Sequence, residues 1–428
     1  MRYSESEGGR SLPLERSEVR GRTSDLQTVS IDGTVASNVV APGNGQEAAE
    51  ALAAFAALGQ AMAPVGGGTA LTMGNLPERV DCILSTEYLA GVIDYEPTDL
   101  VLSVGAGARF GDVQAVLAEH GQRLPLDPPG GADATIGGLI ATARWGPLRH
   151  SAGTLRDLLI GISAAHPSGT VSKAGGMVVK NVSGYDMPRL YLGSLGTLGV
   201  VVSANFKVLP RPRAEATVIT TYDEPAKAFS TANELRNGRE PTAALEVALL
   251  EGAWRLAVRI EGRDETVAAV AARIEAIAGG DVTRVEGAES ANWWASYVAR
   301  QHAVRDEDTV LVRCGVRPKE TARLASGMAA ALHERGIAAP YIAASPGLGA
   351  VVARLDFGRE GSPSSLAEVQ AILLGLADTA TILAAPPSWK RGIDVWGRLP
   401  EGFDVMRSLR EQFDPKRTIN PGRFAGFL

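Results

Sequence analysis

Cysteine is nearly absent from this sequence. Of 428 residues only Cys82 and Cys314 are cysteines, and no CxxC spacing links them, so this chain alone can assemble neither an iron–sulfur ligand set nor a disulfide framework. That scarcity suits a reducing, cytoplasmic setting. Histidine is also sparse: His120, His150, His166, His302 and His333 form no HxH or HxxxH pair, which removes the usual zinc and facial-triad patterns and predicts no metal site. Positive charge is not in excess. Lys and Arg number 42 against 48 Asp and Glu, and no basic stripe offers the footprint of a nucleic-acid binder. No uncharged apolar run reaches the ~18–20 residues that span a bilayer, and the opening MRYSESEGGRSLPLERSEVRGRTSD has no apolar segment of the signal-peptide kind. The chain reads as soluble and cytoplasmic, with membrane contact only peripheral or through partners.

What the sequence has in quantity is glycine, 49 residues, or about 11% against a usual ~7%. Residues 1–39 are polar and mixed in charge and predict a flexible N-terminal tail. Residues 40–212 read as one α/β unit, starting with the alanine-rich helix GQEAAEALAAFAALG and the strands AMAPV, RVDCILS and DLVLSVG. PRPRAEA marks a boundary. Behind it, residues 213–385 run strand–helix–strand–strand–helix–strand (ATVITTY to DVTRVEG) and repeat that order from TVLVRCGV to TATILAA, which predicts two βαββαβ halves in one antiparallel sheet with helices on one face. Between the halves lies a helix carrying Trp293 and Trp294, which read as core or interface anchors, or as a stacking platform. Residues 386–428 are too short to fold alone and must return onto the first unit. The fold class is α+β.

Three glycine-rich segments fall in the first unit. In APVGGGTAL, Gly66, Gly67, Gly68 and Thr69 follow a strand, where bare backbone N–H groups can converge on a phosphate oxygen; a tight turn between strands is the other reading. No helix opens directly after this loop and no GKS or GKT is present, which excludes the Rossmann and Walker patterns. The second segment, LPLDPPGGADATIGGLIATARWGPLRH, lets backbone approach a flat ligand at Ala134, Thr135, Gly137 and Gly138. The third, GSLGTLG, leads into the strand VVVSANFKVL. One shared ligand explains all three better than three separate turns do.

These segments, with RDLLIG, VVKNVSGYDMPRL and a terminal NPGR, resemble the flavin-binding family of the vanillyl-alcohol oxidase type, and within it the E-subunit (FAD-binding) group of bacterial glycolate oxidases. The resemblance is specific over residues 40–212 and the last dozen, and loose between. It implies a two-lobed α/β FAD-binding domain under an antiparallel α+β cap, with the pyrophosphate against the first two loops. Cofactor contacts are expected from Pro64, Gly66, Gly67, Gly68, Thr69 and Ala70; from Pro129, Gly130, Ala134, Thr135, Gly137 and Gly138; from Lys180, Asn181, Gly196, Gly199 and Val200; and from Asn420 and Arg423. Relatives that attach FAD covalently carry His where Gly68 stands, so the flavin is expected to be non-covalent. Competent relatives carry a His-rich metal and base motif in the cap, whereas residues 213–385 hold only His302 and His333. The expected function is therefore the FAD-binding subunit of a glycolate oxidase-like complex, oxidising 2-hydroxy acids such as glycolate or D-lactate with a second flavoprotein subunit and an iron–sulfur partner. A self-sufficient FAD-dependent 2-hydroxy-acid or alcohol oxidoreductase, and a scaffold subunit with a structural or absent flavin, are the alternatives. No catalytic residue is assigned. His150 is a candidate acid/base or a backbone-bonded loop residue, and Arg423 a charge partner of the flavin or a closing salt bridge. Arg144 and Arg149 are anion ligands or surface residues; Tyr185 and Asp186 fix a turn.

Overall fold

The computed structural model describes residues 30–178, 185–302, 308–357 and 362–428. Its first lobe grows from the helix Gly45–Ala57, which Asn44 caps by accepting from Glu47 N–H at 3.0 Å. Ala48, Ala49, Leu52 and Ala56 form one buried stripe of that helix. The stripe lies on a three-stranded parallel sheet in the order Asn38–Val40, Cys82–Ser85, Met62–Val65. The chain's end completes this sheet: Met62 bridges Ile419 in parallel, with Met62 N–H donating to the Thr418 carbonyl at 2.7 Å and Asn420 N–H to the Met62 carbonyl at 2.9 Å.

A second lobe is a five-stranded antiparallel sheet in the order Val171–Gly175, Leu159–Ala165, Val200–Lys207, Val101–Gly105, Val92–Glu96. Its core collects Leu102, Val104, Ile162, Tyr191 and Phe206 under the helices Phe110–Glu119 and Ile136–Thr142. The sequence did not mark the edge strand Val92–Glu96, whose side chains are largely exposed and so lack a one-sided apolar pattern.

The cap is one eight-stranded antiparallel sheet ordered Val282–Glu286, Ala214–Tyr222, Ala253–Gly262, Ala244–Leu250, Ala338–Ser345, Ala350–Asp356, Thr309–Gly315, Thr379–Ala384. The two halves meet at their second strands, Ala244–Leu250 against Ala338–Ser345, so their strand orders mirror each other about that seam. The four helices of the repeat bury one face. The helix between the halves, Gly287–His302, covers the other, where Trp294 and Tyr297 pack on Ala244, Ala248, Ala257 and Ala343. Helices on a single face are thus only the repeat's share. Small alanines on the opposite face leave room for this fifth helix, and Trp294 Nε1 donates to Thr217 Oγ1 at 2.7 Å to fix it.

Residues 30–39, expected to belong to an N-terminal tail, carry regular elements, while residues 1–29 lie outside the described residues. Ser30–Ile31 and Thr34–Val35 pair as a hairpin, and Asn38–Val40 is a sheet strand. Asp32 between them is enclosed with Lys390, their side chains both fully buried and 3.0 Å apart; charge in a segment signals exposure only when it has no partner elsewhere in the chain.

Candidate flavin cleft and the cavity beside it

The first glycine loop leaves the strand Met62–Val65 and docks onto the second. A Cβ on Gly66 would sit 2.1 Å from Thr135 Oγ1, and one on Gly67 would sit 2.1 Å from the Asp133 carbonyl oxygen. Glycine is needed at both for loop to meet loop. Gly68 differs: its φ is +72°, and only a Leu71 methyl, 3.9 Å away, lies near a Cβ built there. The N–H groups of Gly68 and Thr69 find no acceptor among the described residues, so this turn presents free donors, as an anion nest does. Thr135 caps the helix Ile136–Thr142. Asn420, at φ +45°, donates through Nδ2 to the Leu195 carbonyl at 2.8 Å. Arg423, 4% exposed, donates through Nη2 to the carbonyls of Leu71 and Met73. Burial pushes this guanidinium down to about 10, with Asp32 acting the other way.

Together these segments wall one cleft. Of the residues singled out in the sequence, Pro64, Gly66, Gly67, Gly68, Thr69, Ala70, Thr135, Gly137, Gly138, Gly196, Gly199, Val200, Asn420 and Arg423 line it. Ile31, Thr86, Thr142 and Val201 line it as well, and no local signal in the sequence separates them from ordinary core. Pro129 borders a different cavity. Gly130 abuts Thr69 and faces an outer groove, and Ala134 is buried with its carbonyl accepting from Phe110 N–H. Lys180 and Asn181 lie outside the described residues. His150 stands away from the cleft, its Nε2 3.1 Å from Thr242 Oγ1 of the cap. Tyr185 is 92% exposed, and Asp186 pairs with Arg189 at the surface.

A nucleotide-bearing flavin fits this donor set. Besides the free N–H groups, Asn420 Oδ1 and Arg423 Nε are buried without a hydrogen-bond partner. Buried polar atoms are rarely left so, and two orphans of opposite kind on one wall suit a ligand offering both a donor and an acceptor. Neither histidine nor cysteine lines the cleft.

A second, small cavity lies where the cap meets the flavin lobes. Arg144 and Trp145 reach it from below; Gln301, Arg313 and Ser345 reach it from the cap. It adjoins the cleft, because Arg144 Nη1 donates at 2.8 Å to the carbonyl of cleft residue Thr69. Burial and Arg313 hold Arg144 down to about 10. Arg149 stacks 4.3 Å over Trp145, half-buried. Behind Ser345 sits Glu246, 1% exposed, whose carboxylate accepts from Ser345 Oγ at 2.5 Å and Tyr297 OH at 3.0 Å. Desolvation pushes it up to about 8. Of this group the sequence marked only Arg144 and Arg149, as candidate anion ligands; the others come from four further separated segments and carry no local signal. Among the described residues no three His, Cys, Asp or Glu side chains converge as a metal site. Cys82 and Cys314 are free thiols pushed to about 12 by burial. No helix among the described residues is long and apolar enough to cross a membrane.

The FAD binding domain family, FAD_binding_4, matches residues 36–175. This part of the chain is similar to that FAD-binding domain. Over 125 residues the chain is 43% identical to the glycolate oxidase subunit GlcE of Escherichia coli K12, a match covering 29% of this chain and 36% of that protein. It is 26% identical to the glycolate oxidase subunit GlcD of Bacillus subtilis over 90% and 88% of the two chains, and 28% identical to a D-lactate dehydrogenase of Archaeoglobus fulgidus over 90% of each. Among solved structures, a chitooligosaccharide oxidase superposes with a TM-score of 0.67 at 13% identity over 94% of this chain and 95% of that one. An alkyldihydroxyacetonephosphate synthase superposes at 0.66 with 16% identity over 90% and 77%. The fold is the two-lobed flavin domain plus antiparallel cap expected from the sequence, and FAD is its cofactor.

Proposed function

We propose that this chain is the FAD-carrying subunit of a 2-hydroxy-acid oxidoreductase of the glycolate oxidase kind, working on glycolate or D-lactate beside a second flavoprotein subunit and passing electrons to an iron–sulfur partner. The observation that carries this reading is the meeting of three glycine segments and the C-terminal return on one cleft, in a chain that aligns along most of its length with a glycolate oxidase subunit and a D-lactate dehydrogenase. The iron–sulfur centre is assigned to a partner because Cys82 and Cys314 are buried and single. Bound FAD supplies the two-electron acceptor. The chain's own part is to hold it: Gly68 and Thr69 offer N–H donors to phosphate oxygens, Asn420 Oδ1 accepts, and Arg423 keeps positive potential in a dry wall. A self-sufficient oxidoreductase is the second reading, favoured by the arginine-lined cavity next to the cleft.

The test is spectroscopic. The purified chain is expected to be yellow and to release its FAD into the supernatant on acid precipitation. Glycolate or D-lactate, added without oxygen, should bleach the flavin rapidly only when the partner subunits are present. Rapid bleaching of the lone chain would select the self-sufficient reading, and a colourless folded protein would overturn both.

A further inference from the structure

The hairpin Ser30–Val35 is held to the rest of the protein by side chains. Its strands, Ser30–Ile31 and Thr34–Val35, form a two-stranded sheet of their own, and among the described residues no backbone hydrogen bond joins residues 30–37 to another segment. A lone hairpin is marginal in water, so its place is set by what its two buried side chains meet. Ile31, 1% exposed, packs on Ala63, Val65, Val80 and Ile83. Strand alternation puts these sheet residues on the face turned away from the helix Gly45–Ala57. Ile31 also lines the flavin cleft. Asp32 stands at φ +49°, a region few non-glycine residues adopt. Both oxygens of its carboxylate accept from Lys390 Nζ, at 3.1 and 3.0 Å, and both side chains are fully buried.

Three segments far apart in sequence thus meet at one point. Lys390, in the C-terminal return, also donates to the Thr72 and Gly74 carbonyls, and Arg423 donates to those of Leu71 and Met73. Residues 71–74 follow the first glycine loop directly. With the hairpin in place the two cations share one carboxylate. With it lifted, both keep their carbonyls and lose that counter-charge, since among the described residues no other carboxylate bears on either. The open cleft is then the more positive one and the closed cleft the better sealed, which suits entry of an anionic ligand followed by closure. Burial pushes the Asp32 carboxyl up and the Lys390 ammonium down. Desolvation on this scale offsets most of a buried pair's attraction, so the contact specifies the closed position without making it permanent.

We propose that the hairpin Ser30–Val35 is a strap over the flavin cleft: Asp32 latches it to Lys390, Ile31 completes the wall, and its lifting sets the rates at which FAD enters and leaves. The strap opens as a unit, separately from global unfolding, as segments with few contacts of their own do. This rests on FAD as the ligand of the cleft and is independent of which substrate the protein oxidises.

The test is cofactor exchange, followed by flavin fluorescence as apoprotein takes up FAD and as holoprotein loses it after dilution. A Cβ built on Gly33 lies 3.7 Å from Pro387 Cβ, a separation that a disulfide spans. The double variant Gly33→Cys/Pro387→Cys therefore ties the strap down on oxidation and frees it on reduction. Oxidised, it should take up and release FAD at least roughly tenfold more slowly than the same protein reduced, with the dissociation constant changed by less than about threefold. The strain of a side chain at Gly33, φ +82°, is common to both forms and cancels. Asp32→Asn keeps the shape and loses the charge; it should speed release by roughly tenfold or more. Hydrogen exchange at the amides of residues 31–35 should rise in that variant, while the strand Met62–Val65 stays as slow as in wild type, and in wild type FAD binding should slow the hairpin's exchange. Equal rates in the oxidised and reduced double variant would overturn the strap, as would failure of its two thiols to couple or an Asp32→Asn protein that releases FAD no faster than wild type. Exchange that rises equally in the hairpin and in Met62–Val65 would make Asp32 a support of the whole lobe, and would overturn it too.

Discussion

Arg423 shows how much one side chain's role depends on burial that a sequence does not display. From INPGRF alone it is a flavin charge partner or a surface salt bridge. In the structure it is a buried staple, donating to the carbonyls of Leu71 and Met73. Lys390 next to it donates to the Thr72 and Gly74 carbonyls and to both oxygens of Asp32. Two cations thus hold the segment after the first glycine loop from below, and a single buried carboxylate balances them. Arg423→Ala leaves two carbonyls unpaired and Asp32 with half its counter-charge. It is expected to lower stability by about 2–4 kcal/mol, visible as a lower melting temperature, and to weaken FAD retention. Arg423→Lys should recover part of each, since a point charge reaches one carbonyl more readily than two. A melting temperature equal to wild type would show that the staple is dispensable and leave Arg423 acting on the flavin alone.

At the scale of elements, what was readable follows from periodicity. The cap strands alternate or run apolar and the cap helices are long, so the order of elements in both βαββαβ halves was readable. The glycine segments stood out for another reason: Gly66 and Gly67 are required by contact with the second loop, and both border the cleft. The edge strand Val92–Glu96, the N-terminal hairpin and the fifth cap helix's separate face were not legible, because each depends on what packs against it. The distinction between loop contact and ligand contact can be measured. Gly67→Val places atoms on the Asp133 carbonyl and should abolish FAD binding by separating the loops, with a fall in melting temperature even for the apoprotein. Gly138→Ala meets only Thr135 Oγ1, at 3.1 Å, and should change apoprotein stability by less than about 1 kcal/mol. If both substitutions left the apoprotein's melting curve untouched and lost only FAD, the glycines would serve the ligand directly.

At the scale of the whole molecule, the cap and the flavin lobes meet across carboxyls that resist ionisation. Asp127, in the flavin domain, accepts from Leu148 N–H and is pushed by burial to about 7. Glu246, in the cap, reaches about 8, and the Asp127 charge adds to its rise. In the unfolded chain both groups release their protons near their ordinary values of about 4. Between those limits the folded protein holds protons that the unfolded chain has lost, so stability must fall as pH rises from about 5 and level off above about 8. Most carboxylates, paired in the native state, give the opposite slope. The interface pair should therefore stand out in a comparison of variants: Glu246→Gln keeps a neutral group of the same shape at every pH, and its melting temperature should exceed that of wild type increasingly from pH 6 to 8.5 while matching it at pH 5. Asp127→Asn should behave alike with its divergence levelling off near pH 7, about a unit lower, and the double variant should gain less than the sum, because removing the Asp127 charge already lessens the rise at Glu246. A constant offset across the whole range would mean that the substitutions act through packing, and that the two carboxyls ionise inside the fold without cost to the join between cap and flavin domain.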